Sequence, residues 1–198
     1  SLAIKALKFG YVPPIKINKS SLLEISIFSK KLYSPVGIAA GFDKNAEVYN
    51  SLFNLGFGFV EVGTVTPEPQ YGNPKPRVFR LEEDQALINR LGFNNRGSEE
   101  ISSRIEKNKP KGLLGINIGP NKNTLDRIND YVKCFRKFHH LANYLTINIS
   151  SPNTEGLRDF HDENSLTFLL DKLNKRKKKD KIIKPILLKI SHDITSEK

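Results

Sequence analysis

The sequence predicts an α/β protein in which parallel strands, covered by helices, wind into a (β/α) barrel. Short apolar runs alternate with helical patterns, and nearly continuous apolar runs are typical of parallel strands buried on both faces. No Gly-x-Gly-x-x-Gly turn follows the first run, which disfavours an open dinucleotide-binding sheet. A polar residue ends or follows each run, as expected when every strand contributes to one site. These residues are Lys44, Thr64, Asn117, Asn148 with Ser151, and Lys189.

The composition is that of a soluble globular protein with a strongly basic balance, a net charge of +11. No apolar run approaches the roughly 20 residues of a membrane-spanning helix, and peripheral membrane association stays open. The single cysteine, Cys134, excludes a disulfide within this sequence. Lysines crowd residues 172–184 without interleaved aromatic residues, which favours a solvated helix face over a surface for nucleic acid or anionic membrane.

Two elements are expected before the barrel begins. Residues 2–11 have the pattern of a helix end, with Gly10 as the stop signal. Residues 15–33 alternate in the manner of a short antiparallel hairpin. We therefore assign residues 1–12 to the end of a helical extension and residues 13–198 to the first part of one barrel domain.

The barrel elements follow in regular alternation. Strands are expected at residues 36–40, 59–62, 113–118, from 144, and 185–190, and helices at 47–55, 97–107, 124–142 and 165–178. Two further short strands are expected within residues 77–92. A complete eight-stranded barrel takes about 250 residues. We therefore expect a barrel truncated after about five strands.

The residues at the strand ends limit the chemistry. The sequence has no His-Glu-x-x-His motif, no cysteine pair and no carboxylate cluster there, so we expect no catalytic metal. Ser151 has no His or Asp at a spacing that would suggest a hydrolase triad. Lysines, carboxamides and hydroxyls remain. They suit a planar anionic heterocycle and a cofactor that carries the reaction itself.

Six segments of the chain closely resemble successive motifs of the dihydroorotate dehydrogenase family. They lie, in order, at residues 39–44, 61–70, 72–77, 89–94, 115–119 and 148–153, and they cover nearly the whole sequence. More narrowly, they resemble the quinone-dependent, membrane-associated class. The soluble class has a cysteine at the position of Ser151, and Cys134 lies on the preceding predicted helix.

The resemblance implies an FMN-containing barrel that oxidises dihydroorotate to orotate, with a quinone as acceptor, in pyrimidine biosynthesis. It implies that Ser151 is the catalytic base, which takes a proton from one substrate carbon while hydride passes from its neighbour to the flavin. The implied cofactor-binding residues are Ala40, Gly41, Lys44, Thr64, Asn117, Asn148 and Lys189. The implied substrate-binding residues are Lys44, Asn89, Arg90, Leu91, Gly92, Phe93, Asn148 and Asn153.

The resemblance also implies a monomer that binds no nucleic acid and associates peripherally with the bacterial cytoplasmic membrane or the mitochondrial inner membrane. The family's FMN-phosphate loops would follow Lys198, so we expect residues 1–198 alone to bind FMN poorly. Two alternatives stay open. One is a related flavin barrel acting on pyrimidine or on RNA, as in dihydrouridine synthases, which use a catalytic cysteine. The other is a fragment without activity of its own.

Overall fold

The computed structural model describes residues 2–10 and 20–192. Its elements are helix α1 (Leu2–Lys8), strands β1 (Ile25–Ile27), β2 (Lys30–Leu32) and β3 (Gly37–Ile38), helix α2 (Tyr49–Asn54), strands β4 (Phe59–Val65), β5 (Val78–Leu81) and β6 (Ala86–Asn89), helix α3 (Gly97–Lys107), strand β7 (Leu113–Ile118), helix α4 (Arg127–Phe138), strand β8 (Tyr144–Asn148), helix α5 (Glu163–Lys179) and strand β9 (Ile186–Lys189). Short 3₁₀ helices lie at Ser21–Leu23 and Arg158–His161.

Five parallel strands form the central sheet in the order β3-β4-β7-β8-β9. Each strand pairs with the strand of this sheet that follows it along the chain, and the order never reverses. An open doubly wound sheet reverses its order at a switch point, whereas a barrel adds each new strand on the same side. The order within the described residues is therefore that of a barrel, as predicted.

One face of this sheet, called here the outer face, is apolar and covered by helices. It carries Val60 and Val62 of β4 and their neighbours on β7 and β8, all fully buried. Helices α3, α4 and α5 contribute the other half of this core. Their buried side chains are Ile101, Ile105, Tyr131, Cys134, Phe135, Phe138, Leu169 and Leu173. Because side chains alternate along a strand, these residues use only every second position.

The opposite face, called here the inner face, carries polar side chains in the C-terminal halves of the strands. Register places Asn117 beside Thr146 and Asn148 beside Lys189, and Glu61 shares the face two residues along β4 from Phe59. The strands were expected to be apolar on both faces, and that expectation is wrong for this half of each strand. The difference follows from barrel winding, because the inner face points toward the barrel axis and not toward helices.

The N-terminal end of the sheet is covered by the hairpin of β1 and β2. Its two turn residues, Phe28 and Ser29, have φ of 51° and 61°, which matches the type I′ turn that two-residue hairpins favour. Leu32 packs with Leu113 and Tyr144, which begin β7 and β8. The predicted hairpin is confirmed in shorter form. Its residues 15–19 and the predicted domain boundary at residues 12 and 13 lie outside the described residues.

Several predicted boundaries hold and others shift. α3 and β7 have the predicted limits, whereas β4 continues to Val65 and so includes Gly63 and Thr64. α4 is shorter than predicted, because Asp126 caps its start by accepting the N–H of Asn129 at 2.9 Å and the helix ends at Phe138. β5 and β6 form an antiparallel hairpin with every residue exposed.

Candidate active site

Three buried polar side chains meet at the C-terminal ends of β4, β7 and β8. The Thr64 hydroxyl donates to Asn117 Oδ1 at 2.6 Å, and Asn148 Nδ2 donates to Thr64 Oγ1 at 3.0 Å. The three residues are between 0 % and 5 % exposed. Burial of polar groups is tolerated only when they are hydrogen-bonded, so this triad is a rigid unit. Sequence reasoning selected all three residues, and the structure brings them together.

The carboxylate of Glu61, on the inner face of β4, is hydrogen-bonded to the triad through Asn117. Asn117 Nδ2 donates to Glu61 Oε1 and Thr146 Oγ1 donates to Glu61 Oε2, both at 2.8 Å. Sequence reasoning assigned no role to Glu61 or Thr146. The signal was present, because Thr146 lies two residues before Asn148 and Glu61 two before Gly63, on the same side of their strands.

Asn148 is fixed at its other end by the following turn. Its Oδ1 accepts the backbone N–H of Ser150 at 3.1 Å and the Ser150 hydroxyl at 2.8 Å. Its main-chain carbonyl accepts the Tyr131 hydroxyl of α4 at 2.6 Å. Each carboxamide nitrogen carries two N–H groups. Among the described residues, the bonds above use one N–H of Asn117 and one of Asn148, so each amide retains a donor for a ligand.

Two glycines let main chain approach the triad closely. The N–H of Gly41 donates to Gly63 O at 2.9 Å, which ties the loop after β3 to β4. Gly63 has φ of 111°, and a Cβ there would lie 2.4 Å from Asn117 O, so only glycine fits. A Cβ on Gly41, in contrast, would project into open space. Half-buried Ala40 precedes it, so this segment offers an uncrowded backbone surface.

Three cationic side chains lie near one another beside this surface. Burial lowers the pKa of Lys44 below its usual 10.5, and the charges of Arg77 and Lys189 lower that pKa further. Lys189 ends β9 next to Asn148 in the register. Arg77 donates to Tyr71 O at 2.5 Å and to Asn73 O at 3.1 Å, which fixes its loop. Like charges held together in this way favour an anionic ligand.

The loop after β8 brings Ser151 and Asn153 to the end of β6. Ser151 Oγ accepts the N–H of Asn153 at 3.3 Å, and Asn153 Nδ2 donates to Asn89 O at 3.2 Å. The main-chain oxygen of Asn153 accepts Asn73 Nδ2 at 3.3 Å. Among the described residues, no carboxylate or imidazole is hydrogen-bonded to Ser151 Oγ. The structure therefore gathers three predicted residues without giving the serine an activating base.

Residues 90–93 divide into two groups. Phe93 is 8 % exposed, and a Cβ on Gly119 would meet both the Phe93 ring and the Thr64 methyl, so Phe93 and Thr64 both border Gly119. Gly92 O accepts Gln70 Nε2 at 3.1 Å and Leu91 O accepts the Asn73 N–H at 3.1 Å. The Arg90 guanidinium donates twice to Pro76 O and lies over the Phe79 ring. That side chain holds the β5–β6 hairpin, and its predicted contact with substrate stays a prediction.

The sequence profile of the dihydroorotate dehydrogenase family matches residues 22–198 of the chain. The chain belongs to this family. The resemblance predicted from the six motifs is thus confirmed. Curated relatives named dihydroorotate dehydrogenase (quinone) include those of Bartonella henselae, 49 % identical, and Rhizobium etli, 50 % identical. Each match covers 99 % of this chain and 55 % of the relative, so the chain spans about half the length of these relatives.

Solved structures of the family have the same fold. The Eimeria tenella DHODH in complex with ferulenol superimposes with a TM-score of 0.91 at 36 % identity, covering 99 % of this chain and 59 % of that chain. The ligand-free form from the same organism gives 0.90 at 37 % identity, with coverage of 99 % and 61 %. The predicted (β/α) barrel fold of a dihydroorotate dehydrogenase is therefore confirmed. None of the helices in the described ranges 2–10 and 20–192 has the length and apolar character needed to span a membrane.

Proposed function

We propose that the protein oxidises dihydroorotate to orotate with FMN as cofactor and a quinone as electron acceptor, in pyrimidine biosynthesis. The observation that carries the proposal is the buried Thr64–Asn117–Asn148 triad beside a cluster of three cations. Amide N–H donors match the ring carbonyls of a pyrimidine, and the cations match its carboxylate. The curated names of the relatives support the reaction and its acceptor.

The residues present fit a flavin. Ala40 and Gly41 offer an uncrowded backbone surface, because a Cβ at Gly41 would project into open space, and Gly63 lets β4 lie close to Asn117 O. FMN would lie against this surface, with Thr64, Asn117 and Asn148 along one side of its ring. Lys189 would stabilise negative charge at the pyrimidine edge of the ring. When bound, FMN supplies the hydride acceptor of the reaction.

The substrate would lie between the triad and the loop that carries Ser151. Lys44 would bind its carboxylate, and Asn148 with Asn153 would hold the ring from two sides. The hydrogen bond from Asn153 Nδ2 to Asn89 O supports a joint wall made by the β8 loop and residues 89–93. Phe93, which borders Gly119 together with Thr64, would exclude water from the reacting atoms.

Ser151 would take the proton that leaves the substrate carbon. A serine hydroxyl is a weak base, so it must pass its own proton to water as it takes the proton from the substrate carbon, and its oxygen then carries negative charge. The Asn153 N–H donates to Ser151 Oγ at 3.3 Å, and a donor to an oxygen favours its charged form. Lys189, which lies beside Asn148 in the register, would add to the same effect through its positive field.

Serine at this position and the names of the relatives support a quinone as the electron acceptor. We extend the proposal to a monomer that associates peripherally with the bacterial cytoplasmic membrane or the mitochondrial inner membrane. A flavin barrel acting on RNA is disfavoured by the surroundings of Cys134. That thiol is fully buried on the outer face, and burial raises its pKa, so it cannot serve as an acid in a polar loop.

The test is anaerobic mixing of the full-length FMN-loaded protein with dihydroorotate, followed by flavin absorbance. The unaltered protein should bleach. Ser151→Ala should retain FMN and lose about 10²- to 10⁴-fold in the rate of bleaching, the usual contribution of general base catalysis. Ser150→Ala is the matched control, because its hydroxyl contacts Asn148 and not the proposed reacting carbon, and it should lose less. Near-normal bleaching in Ser151→Ala would refute the assigned base.

A further inference from the structure

Glu61 is the one carboxylate among the residues of the five described sheet strands, and it lies on the inner face directly below the triad. Both of its oxygens accept hydrogen bonds at 2.8 Å, one from Asn117 Nδ2 and one from Thr146 Oγ1. A charged group placed on an inner strand face costs desolvation energy, and these two bonds, together with a hydrogen bond from the Tyr144 hydroxyl, offset part of that cost. The carboxylate is therefore expected to have a role at this position.

An ionised carboxylate can only accept hydrogen bonds. Asn117 must therefore turn its Nδ2 toward Glu61 and its Oδ1 toward Thr64, whose hydroxyl donates to it at 2.6 Å. The Thr64 oxygen is then an acceptor for Asn148 Nδ2. Every bond in this chain points the same way, and Glu61 is its final acceptor.

The opposite end of the chain is fixed by main chain. The Ser150 N–H can only donate, and its bond to Asn148 Oδ1 at 3.1 Å fixes the amide of Asn148 without help from Glu61. The amide of Asn117 has no such main-chain partner among its bonds in the described structure. Its nitrogen is held by Glu61 alone, and its oxygen by the Thr64 hydroxyl at 2.6 Å. A hydroxyl can rotate and accept instead of donating, so Thr64 fits either orientation of the amide and only Glu61 selects one.

We infer that Glu61 is a positioning residue, which orients the Asn117 amide so that its second N–H faces ligand carbonyl oxygens. The identity of that ligand, flavin or pyrimidine, rests on the proposed function. A rotated Asn117 would present its oxygen to the same ligand atoms, and two acceptors facing each other repel. Glu61 thus acts through Asn117 and touches neither cofactor nor substrate.

Two conservative variants separate hydrogen-bond reach from charge. Glu61→Gln keeps the length of the side chain and one acceptor for Asn117, and its amide can donate to Thr146. Glu61→Asp keeps the charge and draws the oxygens away from Asn117 by one methylene. Glu61→Leu removes the acceptor altogether. Thr146→Val is the matched control, because it removes a different bond to Glu61 and leaves the bonds from Asn117 and Tyr144 in place.

The first measurement does not depend on activity. In the full-length protein labelled with ¹⁵N-asparagine, exchange of the Asn117 side-chain N–H should quicken roughly tenfold in Glu61→Asp and Glu61→Leu, as expected for loss of a bond to a charged group. Glu61→Gln and Thr146→Val should stay near the unaltered rate. The second measurement is flavin reduction by dihydroorotate, which should slow about 10- to 100-fold in Glu61→Asp, the usual cost of losing such a supporting contact.

Unchanged exchange in both Glu61→Asp and Glu61→Leu would overturn the inference, because Asn117 would then be held without Glu61. A greater loss in the rate of flavin reduction in Glu61→Gln than in Glu61→Asp would also overturn it. The charge of the side chain, and not its hydrogen bond to Asn117, would then be decisive. If Glu61→Leu fails to fold, the comparison of Glu61→Gln with Glu61→Asp still tests the role of Glu61. If the unaltered protein shows no flavin reduction, the proposed function fails, while amide exchange still decides the role of Glu61.

Discussion

The two faces of one sheet follow opposite rules in this protein. The outer face consists of aliphatic side chains such as Val62 and Ile116, which are fully buried under helices and have no directional requirement. The inner face carries Glu61, Thr64, Asn117, Thr146 and Asn148, each held by directed hydrogen bonds. Strand alternation therefore assigns stability to one set of positions and ligand chemistry to the other, within the same few residues.

The largest expected effect tests the outer face. Phe135→Ala should lower the free energy of unfolding by about 3–5 kcal/mol, because a fully buried aromatic side chain is replaced by a cavity. Urea unfolding of the full-length protein measures this. Orotate affinity of the folded fraction should be unchanged. Leu125→Ala, at a fully exposed position, is the control and should leave stability unaltered. A large loss of affinity in folded Phe135→Ala would contradict the division between the faces.

The next largest effect is expected at the proposed ligand site, beside the inner face. Lys44→Met should weaken orotate binding by about 10- to 100-fold, the value of a hydrogen bond to a charged group. It should not lower stability near neutral pH, because burial and two neighbouring cations already disfavour the charged lysine. Titration of bound FMN with orotate and urea unfolding measure the two quantities. Lys133→Met, which removes an exposed lysine near Asp130, is the control. Unchanged orotate affinity in Lys44→Met would remove Lys44 from the site.

A smaller effect is expected where the two faces are joined. Tyr131 belongs to the outer core, yet its hydroxyl donates to the carbonyl of Asn148 at 2.6 Å. Tyr131→Phe should lower the free energy of unfolding by about 1–2 kcal/mol, because one buried hydrogen bond is lost. The rate of flavin reduction should also fall slightly. Stability loss with an unaltered rate would show that the two faces are independent at this point.

The smallest effect concerns alkaline pH. The pKa of Lys44 is lowered in the folded state below its usual 10.5, so between the two values the unfolded chain binds the extra proton. Stability should therefore rise with pH through that window, by linkage. The difference in unfolding free energy between the unaltered protein and Lys44→Met, measured across this range, isolates the contribution. A difference that moves the other way would show that a partner stabilises the charged lysine.

Local patterns predicted much of the fold. α3 and β7 have clear limits in sequence, because Gly97 and Lys107 bound a periodic segment and Leu113–Ile118 is apolar throughout. The helix α4 was predicted too long, since apolar residues continue its stripe after Phe138 although the helix ends there. Periodicity does not show where the main chain leaves a helix.

Some residues of the site were predicted from the sequence and others were not, and the difference has a physical reason. Asn117 and Asn148 stand out because amides are rare in apolar strands, and the family resemblance assigned them roles. Glu61 lies in the middle of a strand pattern, and its partners Asn117 and Thr146 are 56 and 85 residues away along the chain. Strand alternation indicates that Glu61 and Thr146 share the face of the site, but their pairing can be assigned only once the register of the parallel strands is known.

The burial of Cys134 has a practical consequence. Cys134 is 0 % exposed on the side of α4 that faces the sheet, and it is the one cysteine of this sequence. A thiol reagent can react with it only when the helix layer separates from the sheet. The rate of labelling therefore reports how often the outer core opens under native conditions. The sequence thus contains its own reporter of opening, on the face opposite the proposed chemistry.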